Sequence, residues 1–240
     1  MKSASHFRFK QFSVRHDSSA MKVGTDAVLI GSWSNVGDAQ SILDIGTGSG
    51  IIALMMAQRS SNTTRIDAVE IDDREAAQAA DNVSNSPWTN KVHVHTGSIQ
   101  SFDPGRQYDV IISNPPYFID SQKPPTQNRT MARHTTSLDY KELSHCVRRL
   151  LHTQGRFYII LPAAESTVFI TTVRFDGLFC TKKVFFKTRN NKPVERMMME
   201  FNLRPAQCEE SELVLYEHGS TWTAEYRALT DDFYLEQNRV

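Results

Sequence analysis

The chain has little cysteine, no long apolar run and no net charge. Its three cysteines, Cys146, Cys180 and Cys208, lie far apart and fit neither a zinc nor a disulfide spacing. A reducing cytoplasm is therefore the expected compartment. The longest apolar stretch, Ile51 to Ala57, is far too short to span a bilayer. The opening Met1-Lys2-Ser3-Ala4-Ser5-His6 lacks the apolar core of a secretory signal. Lys and Arg (27) balance Asp and Glu (27), so no global charge marks a partner. No repeat of solenoid period and no long linker divides the chain. What is present is 40% hydrophobic residues in 240, enough for one substantial core, and 22% charged residues, an ordinary globular composition.

The zero average hides a segregated distribution. Residues 1–22 carry Lys2, Arg8, Lys10, Arg15 and Lys22 against Asp17 alone. Residues 182–196 carry Lys182, Lys183, Lys187, Arg189, Lys192 and Arg196 against Glu195 alone. From Pro205 onward there are eight acids and two bases. Such basic segments are either solvated faces or surfaces that attract phosphate.

Hydrophobic periodicity predicts alternating elements. Strands are expected at 41–45, 65–70, 91–95, 108–113 and 155–162, with helices at 50–59, 74–83, 138–151 and 163–174. Two long strands, 178–188 and 194–204, are close enough in sequence to form an antiparallel hairpin. The expectation is an α/β fold: a mostly parallel sheet with helices on both faces. This order resembles the seven-stranded, Rossmann-like fold of class I methyltransferases. One domain is expected, with residues 1–40 as an N-terminal extension, 41–204 as the core and 205–240 as a C-terminal extension.

In open sheets of this kind, ligands bind beyond the carboxyl ends of the strands. Asp44-Ile45-Gly46-Thr47-Gly48-Ser49-Gly50 closes the first core strand and opens a helix. Its glycines permit a tight turn and close approach of backbone N–H groups to a ligand. Glu70, followed by Ile71, ends the next strand, where a carboxylate can accept both hydroxyls of a ribose. The spacing is G-x-G-x-G, and Ile51 stands where a dinucleotide fingerprint needs its third glycine. That favours S-adenosylmethionine over NAD. Asp72 reads better as a helix N-cap than as a ligand.

Asn114-Pro115-Pro116-Tyr117 follows the strand 108–113. An adenine amine is a poor nucleophile, because its lone pair is delocalised into the ring. Two acceptors aimed at its N–H groups favour a tetrahedral nitrogen and share its growing positive charge. The Asn114 side-chain carbonyl and the Pro115 backbone carbonyl supply them; Pro116 stiffens the turn, and Tyr117 is suited to stack on the purine. Neither a nucleophilic side chain nor a metal is needed.

With these residues in view, the chain resembles the bacterial tRNA1(Val) adenine-37 N6-methyltransferases nearly end to end. The likeness runs through Lys10-Gln11-Phe12, His16-Asp17, residues 21–31, Asp44–Gly50, residues 67–70, Ile111–Tyr117 and residues 132–139, and closes with Tyr226, residues 228–230 and 233–235. The resemblance implies methylation of adenine 37, beside the anticodon of a valine tRNA; a monomer is expected. It also implies that Lys22, Gly24, Thr25 and Asp26 form a lid over the methionine end of the cofactor, with Thr25 or Asp26 near its amino group. Relatives often place an acid against the cofactor adenine after the third core strand. Here the run is Gly97-Ser98-Ile99, leaving Ser98 and Ile99 to line that end. Asn114 is expected to border both cofactor and target base.

Lys10, Arg133, His134, Arg189 and Lys192 are candidates for contact with the RNA. His93 and His95 read as structural, and Trp222, Phe233 and Tyr234 as packing for the C-terminal segment. Three other functions compete. A glutamine N5-methyltransferase acting on a release factor uses the same acceptors, but usually carries an N-terminal helical domain for which about forty residues leave no room. A non-catalytic RNA-binding module need not keep the Asn-Pro-Pro-Tyr turn and Glu70. An NAD oxidoreductase is disfavoured by the glycine spacing.

Overall fold

The computed structural model describes residues 6–16, 24–116 and 138–235. A short antiparallel hairpin, β1 (His6–Arg8) and β2 (Ser13–Arg15), precedes helix α1 (Thr25–Trp33). Then come β3 (Ser41–Ile45), α2 (Ile51–Arg59), β4 (Arg65–Glu70), α3 (Asp73–Ser84), β5 (Val92–Thr96) and β6 (Tyr108–Ser113). Beyond residue 137 follow α4 (Tyr140–Leu150), β7 (Leu151–Pro162), α5 (Ala163–Val173), β8 (Phe179–Lys187), β9 (Arg196–Asn202), β10 (Glu209–Val214) and α6 (Ala224–Thr230).

Strands β3 to β10 form one eight-stranded sheet in the order β10-β8-β9-β7-β6-β3-β4-β5. Among its pairings only those of β9, with β7 and β8, are antiparallel. The chain runs outward from β3 to β4 and β5, then returns to place β6 on the other side of β3. The strand order therefore reverses between β3 and β6, where a crevice opens at the carboxyl ends.

Burial on both faces explains the continuous apolar runs. Val110 and Ile112 of β6 pack with α1 and α2, whereas Ile111 packs with Leu143 and Val147 of α4. Helix α2 is buried from Ile51 to Ala57, because α1 covers its outer side. A Cβ at Gly31 of α1 would stand 2.6 Å from Met55 Sδ, so glycine permits this close approach. The sequence pattern announces no helix at α1. Its buried residues run unbroken from Ala27 to Ser32, and a helix covered on several sides has no amphipathic period to read.

Most boundaries shift by a residue or two, and two of the differences have clear local reasons. Helix α4 starts at Tyr140 because Asp139 and Glu142 form a capping box, Glu142 N donating to Asp139 Oδ1 at 2.8 Å and Asp139 N to Glu142 Oε2 at 3.0 Å. Strand β7 begins at Leu151, pairing with Tyr108 before a register shift. The seven expected strands are present, and β10 extends the edge beyond β8. Glu209–Val214 has no apolar alternation because it is an edge strand held by charge: Glu209, Glu210 and Glu212 meet Lys182, Lys183 and Lys187 at 3.7, 2.6 and 2.8 Å. Half of the basic run 182–196 thus faces the acidic tail.

The two chain ends pack together. Lys10 N donates to the Phe233 carbonyl at 2.8 Å, and Phe9 lies edge-on to Phe233. Trp222 and Tyr234 join this aromatic cluster, as their packing role predicted. No helix of the described residues is long and apolar enough to cross a membrane.

Candidate active site

The turn after β3 is built on a buried carboxylate. Asp44 Oδ2 accepts from Thr47 Oγ1 at 2.6 Å and from Ala53 N, in the first turn of α2, at 3.1 Å. Its Oδ1 is buried with no hydrogen-bond partner among the described residues. Burial pushes its carboxyl up to about 7; the bonds from Thr47 and Ala53 oppose the rise, and the Glu70 charge adds to it. Asp44 thus shapes the turn from beneath. Above it, Gly46 N and Thr47 N donate to the Val69 carbonyl at 2.9 and 3.1 Å, fastening the turn to β4. Gly50 adopts φ +81°, and a Cβ there would meet Ala79 of α3 at 3.3 Å. Glycine satisfies both constraints at once.

Glu70 ends β4 against this turn. Its Oε2 accepts from Gly48 N at 2.8 Å and its Oε1 from Asp72 N at 3.0 Å. Asp72 caps α3, accepting from Arg74 N at 2.9 Å and Glu75 N at 3.0 Å. Ile71 is 47% exposed, an apolar side chain on the cavity wall. After β5, Ser98 and Ile99 also line the cavity, and the Ser98 hydroxyl bonds to the Gln100 side chain.

The β6 end lies beside the β3 end, Ser113 in register with Ile45 and its hydroxyl donating to the Ile45 carbonyl at 2.9 Å. Asn114 follows directly. Its Oδ1 is buried and accepts no hydrogen bond from the described residues. Pro115 is buried and Pro116 exposed. Between these strand ends lies a cavity of about 750 Å³, bordered by Gly46, Glu70, Ile99, Asn114 and, from α1, Thr25 and Asp26. Its size suits a nucleoside-bearing ligand. The residues fit S-adenosylmethionine on three counts: a glycine turn open to a ligand, an acid at the ribose position, and, at the motif expected to hold the amine, a buried acceptor with no partner among the described residues.

Residues 19–161 match the methyltransferase small domain family. A tRNA1(Val) (adenine(37)-N6)-methyltransferase of Phocaeicola vulgatus is 43% identical over 230 residues, covering 96% of this chain and 97% of its own. Proteins of the same name from Pseudoalteromonas translucida and Trichodesmium erythraeum are each 42% identical, over 97% and 96% of this chain and 99% and 98% of theirs. The chain belongs to this methyltransferase family. The fold is shared more widely. A predicted O-methyltransferase from Agrobacterium tumefaciens superposes with a TM-score of 0.68 at 16% identity, covering 87% of this chain and 96% of its own. A glycopeptide N-methyltransferase solved with S-adenosylmethionine gives 0.54 at 12% identity, covering 77% and 97%.

In this methyltransferase, Gly24, Thr25, Asp26, Gly46, Thr47, Gly48, Glu70, Ile71, Ser98, Ile99, Asn114, Pro115 and Pro116 all border one cavity. Gly50 packs beneath it. Lys22, Tyr117, Arg133 and His134 lie outside the described residues. Lys10 sits elsewhere, 3.6 Å from Asp231. Arg189 and Lys192 lie in the turn joining Thr188 and Glu195, two residues that do border the cavity. The Arg189 guanidinium lies 5.1 Å from the Tyr216 ring centroid, whereas Lys192 is exposed. His95 Nε2 is 2.7 Å from Asp67, within a cluster with Arg65 and Tyr108 away from the cavity.

Gln100, Glu195 and Arg196 also stand on the cavity wall, where the sequence pattern did not place them. Gln100 lies two residues beyond the position where an acid was sought. Glu195 and Arg196, at the start of β9, lie far along the chain, and only their place at the carboxyl end of β7 reveals them.

Proposed function

We propose that this cavity binds S-adenosylmethionine and that the enzyme methylates N6 of an adenine in tRNA, adenine 37 of tRNA1(Val). The observation that carries the reading is the buried Asn114 Oδ1, which accepts no hydrogen bond from the described residues, at the β6 end beside the glycine turn of β3. When bound, the cofactor supplies an electrophilic methyl group on a sulfonium.

The chain's own residues do the rest. Asn114 Oδ1 and the Pro115 carbonyl accept from the amine N–H groups, each such bond to a developing charge contributing roughly 1.5–3 kcal/mol. The two prolines hold the carbonyl direction, so no reorganisation is needed as charge grows. Holding the amine in line with the methyl group supplies about 7–11 kcal/mol of the barrier reduction. Glu70 takes the ribose hydroxyls, Ile71 and Ile99 flank the adenine, and Thr25 and Asp26 close the methionine end, with Lys22 in the same lid. Tyr117 stacks on the target base. An anticodon-loop adenine is unpaired, so extruding it costs less than opening a duplex. Lys10, Arg133, His134, Arg189 and Lys192 face the RNA. The enzyme works in the cytoplasm as a monomer without a metal, as one domain with residues 1–40 and 205–240 as its extensions.

Incubation with methyl-labelled cofactor and unmodified total tRNA tests this. Labelled N6-methyladenosine in one valine tRNA is expected. Label in a co-added release factor, with none in tRNA, would replace the reading with glutamine methylation.

A further inference from the structure

The charges around the cavity are lopsided. Carboxylates of Asp26, Glu70, Asp72, Glu75, Glu142 and Glu195 border it, and Arg196 is the one cationic side chain among its described lining residues. A ligand that carries a sulfonium, an ammonium and a single carboxylate matches this pattern. The acidic wall suits its net positive charge, and one guanidinium suits its one carboxylate.

Arg196 is held on rigid structure. It opens β9, in register with Pro162 of β7 and Phe186 of β8. Its Nε donates to Asp26 Oδ2 at 2.9 Å and its Nη1 to the Glu195 carbonyl at 3.1 Å. The first of these bonds joins the sheet to the first turn of α1. A guanidinium carries five N–H donors in a planar fork. A fork of that kind can bridge Asp26 and a ligand carboxylate. The Asp26–Arg196 pair is then a receptor of alternating sign for an amino-acid zwitterion, ammonium beside the acid and carboxylate beside the base.

We propose that Arg196 recognises the carboxylate of the cofactor's amino-acid end, and so makes the enzyme select the intact cofactor over its decarboxylated form. This rests on the cavity being the cofactor site.

Calorimetric binding of two ligands tests it without turnover: S-adenosylhomocysteine, and its decarboxylated counterpart 5′-deoxy-5′-(3-aminopropylthio)adenosine. The wild-type enzyme should prefer the first by about tenfold or more, the size expected of one charge-assisted pair. Arg196→Gln should lose about that factor for S-adenosylhomocysteine and stay within about threefold for the decarboxylated ligand, collapsing the preference. Arg196→Lys, which keeps the charge, should restore part of it. Equal weakening of both ligands in Arg196→Gln, with the preference intact, would overturn the proposal. So would unchanged affinity for both with a loss of tRNA binding alone, which would make Arg196 a phosphate contact. If Glu70→Ala left both affinities untouched, the cavity reading itself would fall, and the role of Arg196 with it.

Discussion

The Gly48 amide donates to Glu70 Oε2 at 2.8 Å, so the carboxylate that faces the cavity also holds the turn that forms its floor. Its other oxygen takes the Asp72 amide at 3.0 Å, where α3 begins. Glu70 thus joins two strand ends and a helix start while presenting acceptor lone pairs to a ribose. Glu70→Ala should cost about 1–3 kcal/mol of stability, because two backbone donors lose their partner. It should also weaken S-adenosylhomocysteine binding about tenfold or more. Urea unfolding and calorimetry read the two effects separately. Lost stability with unchanged affinity would leave Glu70 a purely structural residue and take the cofactor out of this cavity.

Asn114 predicts the reverse pattern. Its Oδ1 is buried and accepts no hydrogen bond from the described residues; a buried acceptor left without a partner costs about 1–3 kcal/mol. Asn114→Ala removes that acceptor. Stability should hold or rise, cofactor affinity should stay within about threefold, and turnover should fall by about 10²–10³ or more. If affinity collapsed and turnover survived, Asn114 would belong to cofactor binding and the amine would be held by other groups.

The raised pKa of Asp44 fixes a direction for pH dependence. Burial holds its folded value at about 7, above the unfolded 3.8. Between those values the folded state binds the extra proton, so stability from this group falls as pH rises through that window and levels off above it. The slope is at most about 1.4 kcal/mol per pH unit. Asp44→Asn keeps an acceptor for Thr47 and Ala53 but cannot ionise. The difference between wild type and variant in urea unfolding should therefore grow in favour of Asn from about pH 4 to about pH 7. Parallel profiles would mean that Asp44 titrates like an exposed acid.

How much of this was legible without coordinates depends on where each signal resides. The site strands were legible because β3, β4 and β6 are short segments rich in Ile, Val, Leu and Ala, with Gly46, Glu70 and Asn114 at or just beyond their ends. Helix α1 was not, because burial around most of its surface erases the helical period that would announce it. Strand β10 was not, because Glu209, Glu210 and Glu212 are strand residues only in the presence of Lys182, Lys183 and Lys187. The place of Arg196 was hidden for a related reason. It reads as one more base in a basic run, and only the insertion of β9 between β7 and β8 carries it to the cavity.

That redistribution of charge decides which bases can respond to RNA. Lys182, Lys183 and Lys187 already face carboxylates of β10, so bringing phosphate to them displaces a partner rather than a counterion cloud. Arg189 lies against the Tyr216 ring and donates to the Gly219 carbonyl, whereas Lys192 is exposed at the tip of the same turn. Removing a base that pairs with one phosphate of a single-stranded region should flatten the slope of log affinity against log salt by about 0.7. Lys192→Ala should produce a change of that size, Arg189→Ala a smaller one, and Lys182→Ala with Lys183→Ala almost none. Filter binding of unmodified tRNA across a salt series measures all three. An equal flattening at Lys182 and Lys183 would mean that the β8–β10 ion pairs open to admit the RNA, and that the edge strand is itself part of the binding surface.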